Sequence, residues 1–230
     1  MNIIKRAQKL LKDGQHKEAI KILEANPSYE TAFEIARIYG VKEYEDVYSE
    51  EKSFNIIRDL SNKKYIPAKY RLGEIYVKGE FDKGLNYIEA DSLFRSIANI
   101  DGDEKKKFFE YSTLACLQIG RLYDLGYIGE IDKREALRYY KRACENEGLT
   151  EAFFKVGELI LAIDPSNYSE SLSYLSKSNE RDHKGSIRLS AKINIKLSKR
   201  YINKLIQMDK NSVDYRIVKQ KLDRIDEDLL

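Results

Sequence analysis

A chain of 230 residues with 42% apolar side chains, 34% charged ones and only three prolines can bury a sizeable core, which excludes a disordered polyelectrolyte and a fold that needs disulfide or metal staples. Its 41 basic and 38 acidic residues leave a net charge of +3, too small for a global field that would gather nucleic acid or acidic lipid. Any electrostatic recognition must be local. Both cysteines, Cys116 and Cys144, sit in apolar helical contexts and read as small buried hydrophobes.

The N-terminal stretch MNIIKRAQKLLKDGQ breaks its apolar residues with Lys5, Arg6, Lys9 and Lys12, leaving neither a signal-peptide core nor a membrane span. A cytoplasmic protein without membrane insertion is expected. Leu10, Leu11, Gly14, Ala19, Ile20 and Leu23 make residues 1–27 resemble a short tetratricopeptide helix pair, which is expected to act as an N-terminal cap.

One frame then recurs. Thr31, Ile35, Ala36 and Tyr39 occupy positions zero, plus four, plus five and plus eight; Ala68, Leu72, Gly73 and Tyr76 repeat them, as do Ala115, Ile119, Gly120 and Tyr123, then Ala152, Val156, Gly157 and Ile160. A second helical pattern follows each: Ser53 and Ile57; Ala90, Phe94 and Ile97; Ala136, Tyr140 and Ala143; Ser171 and Leu175. The first markers lie 37, 47 and 37 residues apart and the second 37, 46 and 35. Two series agreeing on one period predict stacked helix pairs over 28–64, 65–111, 112–148 and 149–180.

Glycine inside a helix costs about 1 kcal/mol relative to alanine, so Gly120 at plus five needs a reason. Close approach of the partner helix to a backbone without a β-carbon supplies one. Gly126 and Gly129 instead suit a chain reversal, after which Asp132 is placed to cap the next helix, with Glu135 in capping-box position and Gly148 at its end. Pro27 and Pro67 fall at predicted helix starts and Pro165 in a predicted loop.

Alanine, a leucine–glycine pair, tyrosine, a glycine turn, aspartate, alanine and an aromatic, nearly complete from Ala115 to Gly148, resemble the Sel1-like repeat, a relative of the tetratricopeptide repeat. The likeness covers roughly residues 28–180. It departs in the first unit, where Ala36 replaces the glycine, and in the last, where AIDPSNYSES replaces the glycine turn. The resemblance implies an all-α, right-handed α-solenoid of stacked antiparallel helix pairs, one repeat domain over 1–230.

Two regions break the period. NIDGDEKKKFFEYSTL, residues 99–114, carries a mixed charge run followed by Phe108, Phe109 and Tyr111; it reads as a longer second helix whose aromatics pack on the neighbour, or as an insertion on a binding face. Beyond residue 180, Leu189, Ile193, Leu197, Val213, Ile217, Leu222 and Ile225 predict long helices forming a polar C-terminal cap over 181–230. Arg181, Lys184, Arg188, Lys192, Lys196, Lys199, Arg200 and Lys204 there face one acid, Asp182, before Asp209, Asp214, Asp223, Asp226, Glu227 and Asp228 follow. That stripe reads first as a solvated face and second as a contact for phosphates or an acidic protein.

Chemistry has little support. His16 and His183 lack neighbours at metal-ligand spacing, and no phosphate-binding glycine loop, nucleophile elbow or zinc-protease helix is present. No enzyme, cofactor or metal is expected. By resemblance to tetratricopeptide grooves, plus two and plus six face the hollow, giving Phe33, Tyr70, Leu117 and Phe154 with Arg37, Glu74, Arg121 and Glu158, although the charges can also pair within their own helices, as Glu34 with Arg37 or Arg71 with Glu74. The resemblance implies a scaffold or adaptor that binds a partner protein; separately from it, a monomer is the favoured state. A narrower version is an immunity protein neutralising a bacterial toxin; a reading of another class is an RNA or anionic-surface binder using the basic stripe.

Overall fold

A computed structural model describes residues 3–147 and 149–208. Among these residues the regular elements are helical throughout, and no helix is long and apolar enough to cross a membrane. The chain divides into two compact units, Met1–Asn146 and Glu147–Leu230.

The first unit contains α1 (Ile3–Lys12), α2 (His16–Glu24), α3 (Tyr29–Tyr39), α4 (Glu50–Asn62), α5 (Ile66–Lys78), α6 (Tyr87–Ala98), α7 (Gly102–Lys107), α8 (Phe109–Asp124) and α9 (Lys133–Ala143). Apart from the short α7, each helix packs on the one before it, so the helix pairs stack in chain order. Local chemistry sets their ends. Ser28 and Thr31 form a capping box on α3, Ser49 caps α4, Asn86 caps α6, and Pro67 lies in the first turn of α5. The Asp132 carboxylate accepts from the backbone N–H groups of Arg134 and Glu135, both at 3.0 Å, to start α9. The expected box there does not close: Glu135 instead grips Arg138, at 2.7 and 3.1 Å, because a guanidinium one turn away offers charged donors. Gly126 and Gly129 make the preceding reversal at φ of 68° and 146°.

The notch at plus five accounts for the helical glycines. A β-carbon on Gly120 would lie 2.6 Å from the Tyr140 ring and one on Gly73 2.7 Å from the Phe94 ring; both rings are fully buried. In the first repeat, where Ala36 stands at plus five, the facing residue is the smaller Ile57 and the Ser53 hydroxyl donates to the Ala36 carbonyl at 2.8 Å.

The 99–114 stretch does not form a longer second helix, since α6 ends at Ala98. Its charge run folds as α7, tethered by Lys105 to Glu145 at 3.2 Å, while Phe109 and Tyr111 lengthen the start of α8. Arg95 of α6 is a clamp between pairs. Its guanidinium donates to Asp91 at 2.6 Å, Tyr123 at 2.7 Å and Tyr139 at 2.8 Å.

The second unit contains α10 (Thr150–Ile163), α11 (Tyr168–Asn179) and α12 (Lys184–Met208). Gly157 repeats the notch, with Leu175 at 2.7 Å from an added β-carbon. Buried serines seam the helices: the Ser171, Ser178 and Ser186 hydroxyls donate to the carbonyls of Gly157, Thr150 and Leu175 at 2.8, 3.0 and 3.0 Å. The predicted helix end at Gly148, and Val213, Ile217, Leu222 and Ile225 with the acids from Asp209 onward, lie outside the described residues.

Candidate functional site

A helix presents residues three and seven apart on one side, and burial shows which side of the first helices in the first unit is open. On α8 from Tyr111 to Leu122 the partly accessible residues are Tyr111, Leu114, Gln118 and Arg121, one stripe, whereas Ala115, Leu117, Ile119, Gly120 and Leu122 are buried; Tyr123 and Asp124 are partly accessible at the helix end. The open positions are therefore plus three and plus six. On α3 these are Glu34 and Arg37, on α5 Arg71 and Glu74, and on α8 Gln118 and Arg121.

Each such pair is in contact across one helical turn. Arg37 donates to Glu34 at 2.9 Å, Arg71 lies 3.7 Å from Glu74, and Arg121 donates to the Gln118 side-chain carbonyl at 3.2 Å. Charge order reverses from α3 to α5. In α8 an amide replaces the charged group at plus three. Arg71 also pairs with Glu80, and Lys78 lies 3.9 Å from Glu74, so α5 carries a small ion-pair network.

The plus-two positions correct the expectation that they face a hollow. Tyr70 and Leu117 are buried, at 8% and 4% exposure. The Tyr70 ring is enclosed by Phe94 and Tyr111, centroids 5.5 and 5.6 Å away, and its hydroxyl accepts from Gln118 at 3.1 Å. Burial pushes its phenol up to about 12, leaving a neutral group at physiological pH. Phe33 is half-buried, edge-on to Tyr65 at 5.9 Å. Tyr111 stands within the fields of Glu110, Arg37, Glu34 and Glu74, and burial, the largest influence, raises its phenol. It joins the α3, α5 and α8 residues into one patch. Sequence reasoning placed Arg37, Glu74 and Arg121 there but missed Gln118; the seven-residue spacing from Tyr111 to Gln118 was the available signal.

In the second unit Phe154 packs on His183, ring centroids 4.7 Å apart, and Lys155 holds Glu158 at 2.8 Å. His183 Nδ1 accepts from the backbone N–H of Ser186 at 3.1 Å, capping α12. Lys184, Arg188, Lys192, Lys196, Arg200 and Lys204 are exposed on α12, and Lys199 is half-buried.

A further groove of about 810 Å³ runs between α3 and α4, lined by Tyr29, Ala32, Ile35, Asn55, Ile56 and Leu60. Among the described residues no group of three or more His, Cys, Asp or Glu is placed to hold a metal ion. His16 is engaged by Asp46 at 2.6 Å and stacks on Tyr44 at 4.1 Å. Burial pushes the Cys116 thiol up to about 11, away from the thiolate form a nucleophile needs.

No family model matches the sequence, and no curated protein matches it. Solved structures do. A Sel1 repeat protein from Oxalobacter formigenes superposes with a TM-score of 0.62 at 17% identity, over 82% of this chain and 74% of that one. A protective antigen of uropathogenic Escherichia coli, c5321, which displays the same fold, superposes with a TM-score of 0.61 at 14% identity, over 80% of this chain and 37% of that one. With helix pairs notched at plus five and these structural neighbours, the chain has the Sel1 repeat fold.

Proposed function

We propose that the chain is a non-catalytic interaction scaffold that holds a segment of a partner protein on the first-helix face of its first unit. The carrying observation is the reversal of charge order between Glu34–Arg37 and Arg71–Glu74, followed by the neutral Gln118 beside Arg121. A partner lying across these helices meets a pattern that penalises wrong registers, and charge complementarity of this kind gives specificity more than raw affinity. Similarity to Sel1 repeat structures supports the reading at the level of fold. Phe33, Arg37, Glu74 and Arg121 are the residues it retains; Tyr70 and Leu117 position them from below.

Photo-crosslinking tests it. A crosslinking residue at position 37, 74 or 121 captures one common protein from the native lysate, and the same residue at Arg58 or Arg134, exposed on second helices, does not. Charge reversal by Glu74→Arg or Arg121→Glu then weakens the purified complex about tenfold or more. Equal capture from both sets of positions, or unchanged affinity after reversal, removes the assignment.

A further inference from the structure

The α12 helix holds the least balanced charge in the described chain. Lys184 to Met208 contains seven cations and no acid, within a chain whose balance is +3, so everything else is net negative. Six of the seven, Lys184, Arg188, Lys192, Lys196, Arg200 and Lys204, recur every fourth residue and all are exposed. Each step climbs about 6 Å and turns about 40°, so the row winds by about 200° over about 30 Å of helix.

Apart from Lys196, which reaches the Tyr168 ring of α11, this row takes no part in holding the helix in place. Attachment to the second unit runs through the opposite residues: Ser186, Ser190 and Ile193 are buried, Ser186 donates to the Leu175 carbonyl, and Ser190 accepts from Asn179 at 3.0 Å. Among the described residues none of the six forms an ion pair, and Lys196 alone has a ring contact, 5.6 Å above Tyr168. Like charges four apart destabilise a helix, and five successive pairs of them accumulate that effect. A surface serving only solubility mixes its signs.

The kind of polyanion follows from shape. A lipid surface needs a continuous apolar face, but among the described side chains of α12 the exposed large apolar groups are Ile187 and Tyr201, fourteen residues apart. Its occupant has to follow a row that winds halfway round the helix. A flexible single strand can, since it carries a phosphate at every nucleotide. Tyr201, 65% exposed, adds an aromatic ring beside Arg200 and three residues from Lys204, the combination on which unpaired bases stack next to bound phosphates. We propose that α12 is a docking surface for single-stranded nucleic acid, phosphates following the lysine–arginine row and one base on Tyr201.

Fluorescence anisotropy with a labelled 20-nucleotide oligouridylate and the full chain, between 50 and 200 mM salt, tests it. Six neutralised phosphates, one for each cation of the row, give a slope of log K against log salt of about −4.2. Lys192→Gln with Lys196→Gln flattens the slope by about 1.4. Tyr201→Ala weakens binding about fivefold or more, and Tyr201→Phe does not. All these positions are exposed, and unchanged circular dichroism verifies folding. The proposal is overturned by absence of binding at 50 mM salt, by an unaltered slope in the double variant, or by equally tight binding of a duplex. Polyglutamate or phosphatidylserine vesicles competing as well as unlabelled oligouridylate would overturn it too, in favour of an acidic protein or a membrane. The scaffold reading, tested on other residues, stands or falls separately.

Discussion

The pairs α8/α9 and α10/α11 reach the same close helix approach with different chemistry. In the first, the Tyr140 ring fills the space over Gly120 and the residue one turn earlier is Ala136, so the contact is apolar. In the second, the smaller Leu175 lies over Gly157, and Ser171 replaces that alanine, donating to the glycine carbonyl at 2.8 Å. Ser53 and Ala36 repeat the second solution in α3/α4. A large ring satisfies the notch by volume alone; a smaller side chain leaves a carbonyl within reach, and a buried hydroxyl takes it.

The comparison breaks most visibly if the wedges are removed. Tyr140→Ala should destabilise the first unit by about 3–5 kcal/mol, more than Leu175→Ala destabilises the second, because the emptied volume is larger; urea denaturation monitored separately in each unit measures both. Gly120→Ala comes next. Its helix-propensity gain of about 1 kcal/mol is outweighed by overpacking against the ring, with a net loss of about 1–2 kcal/mol. Adding Tyr140→Leu should restore part of it, and a stabilised single variant would show that the notch is empty space.

Ser171→Ala sharpens the contrast at about 1 kcal/mol, since the carbonyl keeps its place in the helix ladder, whereas Ala136→Ser should gain nothing beneath Tyr140. The smallest effect is a titration. The Cys116 thiol, raised by burial from 9.0 to about 11, binds its proton more tightly folded than unfolded, so its contribution is intact below about pH 9 and fades as pH rises toward 11. Alkylation of Cys116 at pH 8 should accordingly be slow in the folded chain and accelerate on unfolding in urea, as mass spectrometry of the modified peptide would show.

Much of the fold was legible from residue spacing. The plus-five glycines, the Asp132 cap and the turn at Gly126 and Gly129 are local statements, and each appears where the frame places it. The candidate surface was legible only in part. Helical spacing anticipated the Glu34–Arg37 and Arg71–Glu74 pairs, and the resemblance to tetratricopeptide grooves put Arg37, Glu74 and Arg121 on open faces. It also put Tyr70 on an open face, which Phe94 and Tyr111, 24 and 41 residues later in the chain, then covered.

Sequence by itself determined the helix pairs, their notches and the basic row on α12, because each is written in intervals of three, four or five residues along one helix. Tertiary structure alone decided that Arg95 clamps Tyr123 and Tyr139, that Glu135 turns to Arg138, and that the open face lies at plus three and plus six. The physical reason is that a period fixes directions around a single helix axis, whereas burial depends on which neighbour crosses it and at what height.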